Sequence, residues 1–393
     1  MSRNRQVFGL GIDPPRRLPG ITSSGVLPVR YPTPLRASPG FSPGSLASVG
    51  LWSETPDAVG SAHRVAVRSA RAPGADVGRS APRRRQRRRA GATLFGVTRS
   101  DAPRRSRADL CPGVLRPWPA ADGALVRLRV PGGRVAPASL AALHGVAVRF
   151  CDDDDNAAVH LTTRANLQVR GLPLDPGGQL PTEVVAAIAE TGLLPSPGHE
   201  LVRNVLVSPL TGLVEGRANL RPVTDALDAG LLADPLLAGL PGRFLFVLDD
   251  GRGDLLDRDC DLGLVALDAD TAQLRVGEHR SAVVPLADAA DRLVGLAREF
   301  VHARGTGPDA PWHVRELAAD AASALAPVAA PDPRLPEPSP PLPFGPVASS
   351  AARIEHLEAP EGRLDHDLIE RLTGPDVVEL VVTPWRGVLA VRA

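Results

Sequence analysis

Apolar and polar positions alternate from Val159 to Gly171, where Val159, Leu161, Leu167 and Val169 interleave with Thr, Arg, Asn and Gln. Such alternation predicts a β-strand with one packed face and one face of hydrogen-bonding groups. A second segment, Val202 to Leu210, has the same texture, and Arg203 to Val207 within it reads as a strand. Gly123 to Val130 and Arg243 to Leu248 are further strands, and Leu274 to Val284 is a strand or hairpin. Helical spacing marks Pro137 to Leu143, Pro181 to Thr191, Pro222 to Ala229 and, longest, Leu286 to Arg304. Pro327 to Pro346 is proline-rich and reads as a stiff linker.

The chain also repeats itself. Leu128-Arg129-Val130-Pro131-Gly132-Gly133-Arg134-Val135, followed by Leu140 and Leu143, matches Leu357-Glu358-Ala359-Pro360-Glu361-Gly362-Arg363-Leu364, followed by Ile369 and Leu372. A β-rich run containing Thr follows each copy, Val159 to Gly171 in the first and Val377 to Val391 in the second. One such strand-turn-helix-strand unit buries little core by itself, so the pattern predicts two related halves that pair.

Composition divides the 393 residues in two. Met1 to Ala108 holds 20 arginines against 5 acidic residues, whereas the remainder holds 25 against 39, and there is no lysine. The first segment is rich in Pro, Gly and Ser and cannot bury enough apolar surface to offset its ordering entropy, so residues 1–105 are expected to be disordered. Its run Arg83 to Arg89 could serve a nucleic acid, but aromatic stacking partners are missing beside it, and an incidental extension is the preferred explanation. Cys111, Cys151 and Cys260 are far apart and form no paired framework, which fits a reducing, cytoplasmic setting. No apolar run is long enough to cross a membrane.

Chemistry concentrates on the two polar-faced segments. Arg164 and Arg203 can grip carboxylates or other oxyanions through two parallel hydrogen bonds, and a solvated strand face accounts for either segment taken alone. Asp249, Asp250 and Asp254 could meet a cation, although a Gly-rich loop after a strand is the commoner use of such residues, and Asp152 to Asp155 reads as a solvated connection. His144, His160 and His199 have no metal-triad spacing, and neither a P-loop nor a GxGxxG motif is present.

Together, Thr162-Thr163-Arg164 with Gln168 and the later Arg203-Asn204 with Ser208-Pro209 resemble the nitrite and sulfite reductase superfamily. Cys111 to Trp118, Pro241 to Phe246, Asp249 to Asp254 and Thr383 to Gly387 resemble its precorrin-3B synthase branch. The resemblance spans Ser106 to Ala393. It implies an α+β fold in which two ferredoxin-like half-domains (106–175 and 347–393) flank one nitrite/sulfite reductase-type α/β domain (198–326), joined by the linker 327–346 behind the disordered extension. It implies a tetrapyrrole site of Arg164, Arg203 and Arg243 with Thr163, Asn166, Gln168 and Asn204 as neighbours. Arg243 stands where sulfite reductases carry the first lysine of a Lys-x-Lys pair, and Leu245 stands at the second.

The implied activity is an oxidoreductase step of cobalamin biosynthesis, oxygen-dependent hydroxylation and lactone formation on precorrin-3A, with a precorrin as small-molecule partner and an unidentified reductant. A sirohaem-dependent sulfite or nitrite reductase fragment and a catalytically dead tetrapyrrole-binding remnant are the alternatives. The family's [4Fe-4S] cluster uses CxxxxxC and CxxxC ligands placed after the second half-domain. This sequence has neither pattern, so the expected chain is an incomplete enzyme without the cluster, and sirohaem belongs only to the reductase alternative.

Overall fold

The computed structural model describes residues 109–151, 157–214 and 216–393. The expected disordered extension and the acidic run Asp152 to Asp155 lie outside the described residues.

The first half comprises β1 (Trp118–Ala120), β2 (Gly123–Leu128), β3 (Arg134–Val135), α1 (Pro137–Phe150), β4 (Val159–Leu161), β5 (Leu167–Leu172) and α2 (Thr182–Glu190). The central part comprises β6 (Val205–Val207), α3 (Arg221–Ala233), β7 (Phe246–Asp249), β8 (Leu262–Ala266), β9 (Thr271–Val276), β10 (His279–Pro285), α4 (Leu286–Arg304) and α5 (Ala319–Leu325). The second half comprises β11 (Gly345–Val347), β12 (Arg353–Glu358), β13 (Arg363–Leu364), α6 (His366–Leu372), β14 (Val377–Thr383) and β15 (Gly387–Arg392). This is the expected α+β arrangement of two related halves around an α/β sheet.

The repeat becomes a reciprocal strand exchange. The first sheet runs β1-β2-β5-β4-β13 and the second β11-β12-β15-β14-β3, so each half lends its two-residue strand to the edge of the other. Arg363 and Leu364 pair with His160 and Val159, while Val135 and Arg134 pair with Leu380 and Val381. A tight turn precedes each lent strand. Gly132 and Gly133 lie at φ 65° and 70° there, and Glu361 and Gly362 at 55° and 79°. Gly133 is obligatory because any side chain would press into the Val382 carbonyl.

The segment Val159 to Gly171 is a hairpin rather than the continuous strand that its alternation predicts. Thr162 N–H donates to the Asn166 carbonyl and Asn166 N–H to Thr162 Oγ1, which closes a turn with Ala165 at φ 55°. Side-chain hydrogen bonding of a Thr to nearby backbone is the local competitor that ends the strand. Helix α1 continues beyond Leu143 to Phe150, since His144, Val146 and Ala147 prolong its buried stripe. Helix α4 spans the predicted Leu286 to Arg304 and buries Leu286, Ala289, Ala290, Leu293, Val294, Ala297 and Phe300 on one face.

The central sheet, in order β10-β9-β8-β7-β6, is parallel from β6 to β8 and antiparallel from β8 to β10. Strands β6 to β9 are covered on both faces, whereas the edge strand β10 is partly exposed. Leu206, Leu245 and Val247 join the core shared by the two halves, while Val207, Phe246 and Leu248 join the core beneath α3 and α4. This two-sided burial explains the near-continuous apolar runs of β6 and β7.

Candidate anion site

Strand β2 buries Val126 and Leu128 in the shared core and thereby turns Arg127 and Arg129 to its other face. Gln168 is the cross-strand partner of Arg127 and accepts from its Nη2 at 3.1 Å. Arg164 projects from the β4–β5 turn and donates Nη1 to the Arg243 carbonyl at 2.9 Å. The Arg243 guanidinium lies over the Trp312 ring, 5.3 Å from its centroid.

These four cations share one electrostatic environment, in which Glu200 acts on Arg129 and Asp261 and Asp259 act on Arg164 through space without forming an ion pair with them. Arg129 is only 3% exposed, and its Nη1 reaches no more than the Arg127 and Pro112 carbonyls. Arg127 Nε and Arg129 Nε and Nη2 are buried without a hydrogen-bond partner. Burial, and then the neighbouring Arg127, push Arg129 down to about 10, and burial lowers Arg127 and Arg164 too. Glu200 acts on Arg129 through space, but its carboxylate accepts from the N–H groups of Val114 and Leu115. Buried cations whose donors point at no acceptor are costly, and a bound anion removes the cost.

The structure brings three of the sequence-predicted residues, Arg164, Gln168 and Arg243, to this cluster. Asn166 and Asn204 are buried and serve as a strap behind it. Asn166 Oδ1 accepts Val130 N–H and its Nδ2 donates to Asn204 Oδ1, while Asn204 Nδ2 donates to the Leu201 and Gly242 carbonyls. That strap fixes the three loops that carry Arg129, Arg164 and Arg243. Thr163 is exposed at the hairpin tip. Arg203 lines a small cavity with Arg127, Arg129 and Glu200, but its Nε and Nη2 form a two-pronged bond to Asp228 of α3 at 2.6 and 2.7 Å.

Sequence reasoning missed Arg127 and Arg129 as candidate site residues, although one immediately precedes the first copy of the repeat and the other lies within it. The signal was the divergence of the copies, because Arg127 and Arg129 align with His356 and Glu358.

Asp249, Asp250 and Asp254 do converge, with ligand atoms within 4.8 Å of one another. Their bonds are internal: Asp249 accepts from Gly251, Gly253 and Leu255 N–H, Asp250 pairs with Arg252, and Asp254 accepts from Ser208 Oγ. Burial, reinforced by Asp249, pushes Asp254 up to about 7. The cysteines stand on separate elements. Cys111 packs against Gly242, Cys151 donates to the Arg170 carbonyl at the end of α1, and Cys260 precedes β8 with its thiol pushed up to about 12 by burial. They form no four-thiolate ligand set, so a [4Fe-4S] cluster does not fit these residues.

Residues 119–175, the segment that carries Arg127, Arg129, Arg164 and Gln168, match the nitrite/sulfite reductase ferredoxin-like half-domain family. The chain is similar to ferredoxin–nitrite reductase from Synechococcus elongatus, 31% identical over 133 residues that make up 33% of this chain and 25% of that protein. The structure of Mycobacterium tuberculosis NirA aligns at a TM-score of 0.51 with 14% identity, covering 68% of this chain and 54% of that one. The chain thus spans a quarter and about half of these two relatives, and the structural likeness extends the shared fold well beyond the half-domain. Among the described residues, no helix is long and apolar enough to cross a membrane.

Proposed function

We propose that the chain is a tetrapyrrole-binding oxidoreductase protein of the nitrite/sulfite reductase superfamily, of the precorrin-3B synthase kind. The observation that carries this reading is the set of partnerless buried donors on Arg127 and Arg129, next to Arg164 and Arg243. A tetrapyrrole with several carboxylate arms supplies acceptors at several points, as a cluster of separate guanidiniums requires. Leu245, two residues after Arg243, is buried with its N–H held by Asp261, so no second cation follows Arg243 to meet a bound sulfite. This favours the tetrapyrrole as substrate, hydroxylated at the expense of dioxygen, over sulfite as substrate.

The likeness to a ferredoxin–nitrite reductase favours a second reading, in which the arginines hold the carboxylates of sirohaem. Titration of the purified chain with an octacarboxylate porphyrin, followed by fluorescence quenching, tests the shared premise. Saturable binding is expected, weakened roughly tenfold or more by Arg164→Gln, since a hydrogen bond to a charged group contributes about 1.5–3 kcal/mol. Absence of binding overturns both readings. Sirohaem absorption bands in protein purified from a sirohaem-producing host select the reductase, and oxygen-dependent conversion of precorrin-3A selects the synthase.

A further inference from the structure

We propose that the concave surface between the 256–260 loop and the β9–β10 hairpin is a second anion site, built to hold a tetrahedral oxyanion of the phosphate class between Arg275 and Arg280. It uses other residues than the arginine cluster and stands independently of the tetrapyrrole reading.

Arg275 and Arg280 face each other directly as a cross-strand pair. Like charges in that position destabilise a ladder unless something lies between them. Arg275 is 8% exposed and donates only to the Leu255 and Arg258 carbonyls, at 3.3 and 3.0 Å. Arg280 Nη1 is buried and has no partner. Among the described residues no carboxylate forms a salt bridge with either side chain. Asp249 acts on Arg280 through space, but both of its oxygens accept from backbone N–H groups. Immediately after Arg280 the register of β10 shifts before Val283, the kind of irregularity that re-aims a side chain.

The surface between them is a cavity of about 300 Å³, with Arg258 and Arg315 also in its lining. Its acidic residues, Asp257, Asp259 and Glu278, are exposed at the rim, where Asp259 reaches Arg315 at 3.8 Å. The Cys260 thiol in the lining is neutral, because burial pushes it up to about 12, so it offers no counter-charge. The floor is therefore cationic, with a donor pointing at no acceptor. A phosphate or sulfate group, with oxygens on every side, bridges two guanidiniums as a single carboxylate of the rim does not.

The test uses thermal unfolding of the full chain in phosphate-free buffer, with inorganic phosphate as probe and choline chloride at matched ionic strength as control. Phosphate is expected to raise the midpoint saturably, since a ligand that binds only the folded state stabilises it. Arg280→Gln should weaken that dependence about tenfold, while Arg149→Gln, at an exposed arginine outside both clusters, keeps it. Without phosphate, Arg280→Gln should unfold at the same temperature as the parent or higher, because it removes a like-charge pair. A parallel titration with glycerol 3-phosphate separates the sources: a larger shift identifies a phosphate ester, an equal shift the free anion. The proposal is overturned if phosphate does no more than the ionic-strength control, or if Arg127→Gln abolishes the effect and Arg280→Gln preserves it. A lower midpoint for Arg280→Gln in phosphate-free buffer also overturns it, since Arg280 then has a stabilising role within the protein.

Discussion

The two halves carry the same fold and opposite polar chemistry. In the first, Arg127 and Arg129 flank Leu128 with three guanidinium nitrogens unsatisfied. In the second, His356 and Glu358 flank Leu357, and His356 is 1% exposed with both ring nitrogens engaged, Nδ1 to the Pro343 carbonyl and Nε2 to Thr383 Oγ1. Leu128 and Leu357 are both buried in the shared core. The lesson is that the apolar face of the unit makes the fold, and the other face is free to be closed or left open. The closed half satisfies its own polar groups, and the open half leaves three guanidinium nitrogens without acceptors.

The comparison can be broken most forcefully at the exchanged strands. Gly133→Val should destabilise the protein by roughly 3–5 kcal/mol in chemical denaturation, because the side chain meets the Val382 carbonyl and the backbone sits at positive φ. Loss of that magnitude tests whether β3 belongs to the second sheet, and an unfolding midpoint close to the parent's would refute the exchange.

A sharper version opposes the two halves in sign. Arg129→Met removes an uncompensated buried cation and should stabilise the empty protein by about 1–3 kcal/mol while weakening porphyrin binding. His356→Leu removes the ring's bonds to the Pro343 carbonyl and to Thr383 Oγ1 and should destabilise by about 1–3 kcal/mol without changing that binding. Equal signs in the two unfolding curves would erase the distinction.

Titration has a gentler effect, shared by histidines of both halves. Burial lowers His356, so the unfolded chain takes up its proton first; the stability it contributes is present above about pH 6.5 and is lost as pH falls through the lower folded value. His144 and His160 are lowered in the same direction. Denaturation midpoints should therefore fall from about pH 7 to 5, and His356→Leu should lose part of that slope. Arg129, pushed down only to about 10, keeps its charge throughout, so porphyrin binding should not fall for want of its cation.

The smallest effect is expected at the turn of the second half. Glu361 occupies the positive-φ position held by Gly132 in the first, and Glu361→Gly should stabilise by up to about 1 kcal/mol, read as a higher denaturation midpoint.

Local pattern alone determined much of this protein. The helical period of α4 was legible to its ends, because seven apolar residues share one stripe whatever they pack against. The repeat announced two halves, because the same turn, lent strand and helix must be encoded twice. Arg164, Gln168 and Arg243 were singled out by resemblance to family motifs, and the fold brings all three beside Arg127. Tertiary structure alone decided the rest. It closed Val159 to Gly171 into a hairpin through the Thr162 and Asn166 bonds, lent β3 and β13 across the halves, and gave Arg203 to Asp228, 25 residues away. It also left the donors of Arg127 and Arg129 without acceptors. Periodicity is a property of neighbours along the chain, whereas the satisfaction of a charge depends on what the fold brings against it from elsewhere, and no local pattern records that.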